Sequence, residues 1–506
     1  MKKYLLGIDI GTSACKAVVF RFDGTVAASA DSDYPIYYPK KGWAEQDPKE
    51  WWQGACKAVK QVLEKGNIKG EEIAGIGVDG QSWSAVALDK SGEVLTNTPI
   101  WMDTRAKDIC EERNSKIGFE NIFEISGNPL QPSYTTAKIL WYKRNLPEVY
   151  QKIDKILQCN SYIVYKLTGK ITMDVSQGYG LHCFNMRTKQ WDEKMCERLG
   201  ITRSFLPDLF SCSEVVGAVT QTASEKTGLS IGTPVVAGGL DAACGTLGAG
   251  VVHPGDTQEQ GGQAGGMSIC LDTYQADPSL ILSCHVVPGR CLLQGGTTGG
   301  GGAMRWFERE FGDYERMMEV PSGESSLVQM NHLAKKVPAG SEGMIFLPYM
   351  SGERSPIWNP SAKGMFYGLD FSKTKGHFIR AVMEGVAYSL RHNLETAKNC
   401  GAKVAELRAM GGSANSLLWT QIKADVTQKT IKVPASDTAT ALGAAILAGV
   451  GTGVYESCEQ AVENMIKITR IHHPNQANQK HYDQSYKLYL ELYDQLKQTM
   501  EKQGSD

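Results

Sequence analysis

Tyr4-Leu5-Leu6-Gly7-Ile8-Asp9-Ile10-Gly11-Thr12-Ser13-Ala14-Cys15-Lys16 opens the chain with an apolar run, a turn and a second run. The pattern predicts a strand over 4–10, a turn at Gly11-Thr12-Ser13 and a strand over 16–22. A turn at Asp23-Gly24 and a third strand from Val26 follow, so the first thirty residues read as a glycine-cornered antiparallel meander. Residues 48–64 then carry Trp51, Trp52, Ala55, Val59 and Leu63 at helical spacing, and 73–78 reads as a strand. Meander, helix and strand in that order imply a mixed α/β layer fold.

A second beginning lies past the middle. Residues 233–237 form a β-branched run, Gly238-Gly239 a turn, and 241–249 a helix of small residues, before His253-Pro254-Gly255-Asp256 breaks the chain. Strand-like runs follow at 265–271, 280–287 and 290–294. The spacing predicts two similar α/β halves, 1–253 and 254–506. At the far end Tyr482, Tyr486, Tyr489, Tyr493, Leu496 and Met500 make one helical stripe, which should pack back as core.

Composition narrows the function. A chain of 506 residues has room for two to four domains. With 53 Lys and Arg against 55 Asp and Glu, and no long run of one sign, nothing calls for nucleic acid or an anionic membrane as partner. The 13 cysteines include no CxxC pair and read as reduced thiols of a cytoplasmic protein. No export signal and no run of eighteen apolar residues is expected, and His472-His473 is not expected to bind metal. The unusual figure is 54 glycines, well above the usual share of about 7%. Such an excess belongs where backbone approaches something closely.

Three glycine corners at strand ends point to a nucleotide. Asp9, Thr12, Ser13 and Lys16 combine an acid, free turn amides, hydroxyls and a cation, a set able to cradle phosphates and hold Mg2+. Gly295–Gly302 precedes a helix near Ala303, whose first amides should be unpaired and point outward. Gly411-Gly412-Ser413-Ala414-Asn415 repeats the arrangement. No GxxxxGK[ST] loop occurs. Asp241 opens a helix after two glycines, where it either caps that helix or orients a hydroxyl and accepts its proton. Gly228-Leu229-Ser230-Ile231-Gly232 matches GxSxG but runs from helix to strand, the reverse of a nucleophile elbow.

Two longer stretches carry a resemblance. Gly364-Met365-Phe366-Tyr367-Gly368-Leu369, seven residues, then His377-Phe378-Ile379-Arg380-Ala381-Val382-Met383-Glu384 is similar to the second signature of the FGGY carbohydrate kinases. Residues 133–145, Ser133 to Asn145, resemble the first, with Tyr142 departing. Within the family, Gly42–Pro48, Gly80-Gln81 and Leu347–Pro356 look like xylulokinases. The resemblance implies two actin-like, ribonuclease-H-like domains with ATP and sugar in the cleft between them. It implies Asp9 for magnesium, Thr12, Ser13 and Lys16 for the phosphates, and Asp241 as the catalytic carboxylate. Gly262, Gln263, Gly301, Gly411, Gly412 and Asn415 would line the nucleotide; Gln81, Ser82, Trp83, Trp101 and Asp103 would surround the sugar.

Three departures bear on the sugar and the phosphates. Ser82-Trp83 replaces Met-His, Ala242 replaces Asn, and Gly262-Gln263-Ala264-Gly265 stands where Gly-Thr-Ser-Gly is expected. The expected activity is MgATP-dependent phosphorylation of a small open-chain sugar, D-xylulose first, with another ketose or an alditol as the alternative. A non-catalytic ATP-binding regulator on the same fold is the more distant alternative, and a homodimer is the oligomer to test.

Overall fold

The computed structural model describes residues 2–435 and 438–503. The meander forms as read. Strands β1 (Tyr4–Ile10), β2 (Ala14–Arg21) and β3 (Val26–Asp33) pair antiparallel in sequence. Helix α1 (Pro48–Lys65) starts where the Asp47 side chain accepts from the Lys49 amide and Pro48 needs no donor. Its Trp51, Ala55, Val59 and Val62 are buried. Strand β4 (Ile73–Gly80), buried throughout, returns parallel to β1.

Beyond β4 come α2 (Thr135–Asn145), a short hairpin of β5 (Phe184–Asn185) and β6 (Gln190–Trp191), then β7 (Val215–Ala218), β8 (Pro234–Val236), β9 (Gly239–Leu240) and α3 (Asp241–Gly248). The first sheet runs β7-β8-β4-β1-β2-β3, with β9 also paired to β4.

The second half repeats the plan. Its elements are β10 (Thr257–Gly261), β11 (Gly265–Leu271), β12 (Ile281–Cys284), β13 (Cys291–Thr297), α4 (Gly301–Phe311), α5 (Lys375–Asn399), β14 (Leu407–Met410), α6 (Leu417–Thr427), β15 (Ile431–Pro434), α7 (Ala439–Gly451), β16 (Ile468–His472) and α8 (Gln479–Gln503). The sheet order is β12-β13-β11-β10-β14-β15-β16. Strands β13, β11 and β10 thus stand where β3, β2 and β1 stand in the first sheet, and β14, β15 and β16 match β4, β8 and β7 in both order and sense.

The sequence reading passed over β10, because Thr257-Gln258-Glu259-Gln260 carries no hydropathy signal. Four of its five residues are buried, satisfied by remote partners. Thr246 Oγ1 donates to Gln258 Oε1 (2.8 Å), and Lys423 Nζ pairs with Glu259 (2.6 Å). The tyrosine stripe of α8 is core as expected: Tyr482, Tyr486 and Tyr489 are buried, and Tyr349 donates its hydroxyl to that of Tyr489 (2.7 Å).

One helix ties the two sheets together. α7, sequence ATALGAAILAGVG, comes from the second half yet packs on β1, β4 and α3 of the first. The approach is backbone to backbone. A β-carbon on Gly7 would lie 2.0 Å from the Ala441 carbonyl oxygen, one on Gly77 1.9 Å from that of Ala444, and one on Gly443 1.9 Å from that of Cys244. No side chain can give way there. Gly77→Ala should therefore lower the unfolding free energy by about 1–3 kcal/mol or more, the range for overpacked cores. Urea denaturation measures this, and an unchanged midpoint would show that the helix slides freely on the sheet.

Candidate active site

Parallel pairing sets three carboxylates at the carboxyl ends of neighbouring strands, the edge at which open α/β sheets bind ligands. Asp9 on β1 stands in register with Asp79 on β4, and β9 pairs Gly239 with Asp79 and Leu240 with Gly80, delivering Asp241 at the start of α3. Lys16 is the cross-strand neighbour of Asp9, and Thr12 and Ser13 form the turn between. Asp79 was not singled out from sequence, although Asp79-Gly80 repeats the strand-end acid and glycine of Asp9 to Gly11.

Burial raises all three carboxyls. Asp241 is pushed up to about 7, by burial first and then by the Asp9 charge, against the Ala242 amide that donates to it (2.6 Å). That amide belongs to the very next residue, so the carboxylate does not cap the helix in the usual way, which would take an amide two or three residues on. Asp79 is held well above the carboxylate range by burial and by the charges of Asp9 and Asp241. Both its oxygens are buried without a donor. Its carboxyl neighbour Asp9, also raised by burial, is another acceptor, so the two satisfy each other when one holds a proton.

A buried polar network that the sequence reading missed fixes two of these strand ends. Ser176 Oγ accepts from the Leu240 amide (2.8 Å) and donates to Asp174 (2.5 Å), whose other oxygen accepts from Asn160 (2.9 Å). Gln177 Nε2 donates to the Gly80 carbonyl (3.1 Å). These residues sit far from the strands in sequence, and each is an ordinary polar residue until the chain brings them together.

The residues expected around a sugar are gathered as follows. Gln81 Nε2 donates to Gln46 Oε1 (2.8 Å), Gln46 Nε2 to the Thr12 carbonyl (2.8 Å), and Trp101 Nε1 to Thr12 Oγ1 (3.0 Å). Thr12, read as a phosphate contact, thus bonds to Trp101 directly and is linked to Gln81 through Gln46. Ser82 lies against the Tyr179 hydroxyl. Trp83 sits in left-handed backbone (φ 63°), stacked on Tyr134 at 4.1 Å, its indole N–H buried and unpartnered. Its carbonyl accepts from the buried Lys138 ammonium (2.6 Å). Asp103 is turned elsewhere: its carboxylate accepts from the Ala44 amide (2.7 Å) and pairs with Arg105 (2.8 Å), anchoring the loop that carries Gln46.

In the second half, a cavity of about 590 Å³ is lined by Gly262, Gln263, Gly301, Gly412 and Asn415, together with Arg305 and Trp419. Gly411 is not in its wall; it abuts Gly261 instead. The first amides of α4 are not offered to an anion, because the Gly301 amide donates to the Gly262 carbonyl (2.7 Å), Gly302 to Gln263 (2.9 Å) and Ala303 to Gly300 (3.2 Å). The β10–β11 turn closes the helix end, and the glycines are what let it approach: a β-carbon on Gly301 would lie 2.5 Å from the Gly262 oxygen.

This arrangement of sheets recurs in known proteins. The model of the FGGY family of carbohydrate kinases, N-terminal domain, matches residues 4–248, and the C-terminal domain model matches 271–452. The chain belongs to the FGGY family of carbohydrate kinases. It has the family's two-domain actin-like fold and is an ATP-dependent sugar kinase. A xylulose kinase of Bacillus subtilis (strain 168) is 30% identical over 497 residues, 98% of this chain and 97% of its own. A gluconokinase of Bacillus licheniformis is 30% identical over 494 residues, covering 97% and 96%. The crystal structure of xylulose kinase from Rhodospirillum rubrum superposes with a TM-score of 0.89 at 30% identity, covering 98% of this chain and all of that one. Among the described residues no helix is long and apolar enough to cross a membrane.

Lys138 carries a test of the interior beneath Trp83. Burial lowers its ammonium from 10.5 to about 7, with Asp103 opposing. Between those values the unfolded chain holds a proton that the folded protein lacks, so this contribution to stability rises with pH across the window and is smallest at and below pH 7. The unfolding free energy of the wild type relative to Lys138→Met should accordingly increase from pH 7 to pH 9 in urea titrations. A constant difference would show that Lys138 titrates as an exposed lysine.

Proposed function

We propose that the protein transfers the γ-phosphoryl group of MgATP to a hydroxyl of a small open-chain sugar, with D-xylulose the first substrate and D-xylulose 5-phosphate the product. One observation carries this reading: Asp241, at the end of a parallel strand, is held by burial to about 7, where a carboxylate can accept a hydroxyl proton near neutral pH. In this reading Asp241 orients the attacking hydroxyl and takes its proton. Thr12, Ser13 and Lys16 meet the phosphates, and the cavity around Gly301, Gly412 and Asn415 takes the nucleoside. Residues 1–253 would supply the sugar and acid groups and 254–506 the nucleotide groups, in a cytoplasmic enzyme.

The fit to Mg2+ rests on Asp9 and Asp79. Among the described residues no three His, Cys, Asp or Glu side chains enclose an ion. Magnesium is ordinarily held by one or two carboxylates, with water and phosphate completing the shell. Asp9, beside the donor-less oxygens of Asp79, meets that need and would hold the ion. When bound, it would neutralise charge on the transferring phosphoryl group.

A second reading, an open-chain sugar acid such as gluconate, is favoured by Arg354. Its guanidinium has no salt-bridge partner among the described residues, and its charge reaches Tyr134 and Tyr179, the rings that pack on Trp83. The similar gluconokinases agree with it.

Asp241→Asn should keep ATP binding and cut turnover by about 100- to 10,000-fold, the usual worth of a positioned base. Coupled ADP release measures it, and near wild-type turnover would remove Asp241 from the chemistry. Trp83→His should reorder kcat/KM across D-xylulose, other ketoses, alditols and gluconate while the KM for ATP stays put. Equal loss on all of them would make Trp83 a packing residue.

A further inference from the structure

A second cavity, of about 410 Å³, lies between the β5–β6 hairpin of the first half and the β12–β13 hairpin of the second. It shares no lining residue with the nucleotide cavity. Its wall carries three cations, Arg187, Lys189 and Arg290, against one carboxylate, Asp272. Among the described residues no salt bridge joins any of the three to an acid. We propose that this cavity binds a small dianion of the phosphate class, inorganic phosphate or a phosphomonoester.

The three cations are built in. Asn185 Oδ1 accepts from the Arg187 and Thr188 amides (3.0 and 3.2 Å), and the Lys189 amide donates to the Asn185 carbonyl (2.8 Å), fixing a turn in which Lys189 adopts left-handed backbone (φ 58°). The Arg187 guanidinium lies over the Tyr274 ring at 3.8 Å, and the Lys189 ammonium donates to Cys291 Sγ (3.1 Å). Neither contact neutralises a charge. From the facing hairpin, Arg290 buries its Nε with no acceptor among the described residues. A buried donor without an acceptor is costly. Guanidinium groups match phosphate in a two-bond fork, and arginines from both hairpins line the cavity. The excess of two positive charges in the wall matches a dianion, and the volume is within the range of small-ligand sites, about 300–1,000 Å³. A ligand held by both hairpins ties one half of the molecule to the other.

Calorimetric titration of the nucleotide-free protein with inorganic phosphate, and separately with glycerol 3-phosphate, tests this. Binding is expected in the wild type, weakened at least tenfold in Arg187→Ala and in Arg290→Gln, and retained in Lys16→Ala, which disables the phosphate turn of the active site. Tighter binding of glycerol 3-phosphate would identify a phosphomonoester as the natural ligand, and tighter binding of inorganic phosphate the free ion. Arg187 is exposed, so Arg187→Ala keeps the fold and decides the question should Arg290→Gln not fold. Absence of binding, equal affinity in wild type and Arg187→Ala, or loss of binding in Lys16→Ala would overturn the proposal.

Discussion

The contact between α7 and the first sheet sets the geometry of the rest. Gly7 and Gly77 hold the places where any side chain would run into the carbonyls of Ala441 and Ala444, and Gly443 does the same toward Cys244. Because the backbones touch, there is no soft layer in which the helix could shift. Two residues beyond Gly7 and Gly77 come Asp9 and Asp79, and α3, on which α7 also rests, begins at Asp241. The packing that joins the halves therefore also locates the carboxylates.

Charge is concentrated beside that packing. Three acids at neighbouring strand ends, Asp79 buried and Asp9 and Asp241 half-buried, would repel each other if all were ionised, and desolvation raises each of them. The cost is sustained by a second layer: Ser176, Asp174, Asn160 and Gln177 hold the Leu240 and Gly80 backbones through hydrogen bonds that leave few choices of position. A site stressed in this way suits a reaction in which a hydroxyl gives up its proton, as phosphoryl transfer to a sugar requires.

Much of this was legible in the residues themselves. The meander, α1, β4, the α3 start and the tyrosine stripe of α8 follow from periodicity and turn chemistry, and the strand-end glycines marked the β1–β2 turn and the wall of the second-half cavity. What escaped was polar and remote. β10 is a buried strand without apolar residues, legible only once Lys423 and Thr246 are seen to satisfy it. Asp79 looked like one more residue at the end of an apolar strand, and the 160–177 network has no local pattern. The free amides expected at α4 failed for a related reason: a turn about forty residues earlier in the chain takes those of Gly301 and Gly302, and spacing does not report such a contact.

The central claim, transfer to a sugar rather than hydrolysis, is tested most directly by phosphorus NMR of the purified protein with MgATP and D-xylulose. The account predicts that ADP and a new phosphomonoester resonance grow together in equal amounts, with little inorganic phosphate. ADP accompanied by inorganic phosphate alone, with D-xylulose and with gluconate alike, would contradict it.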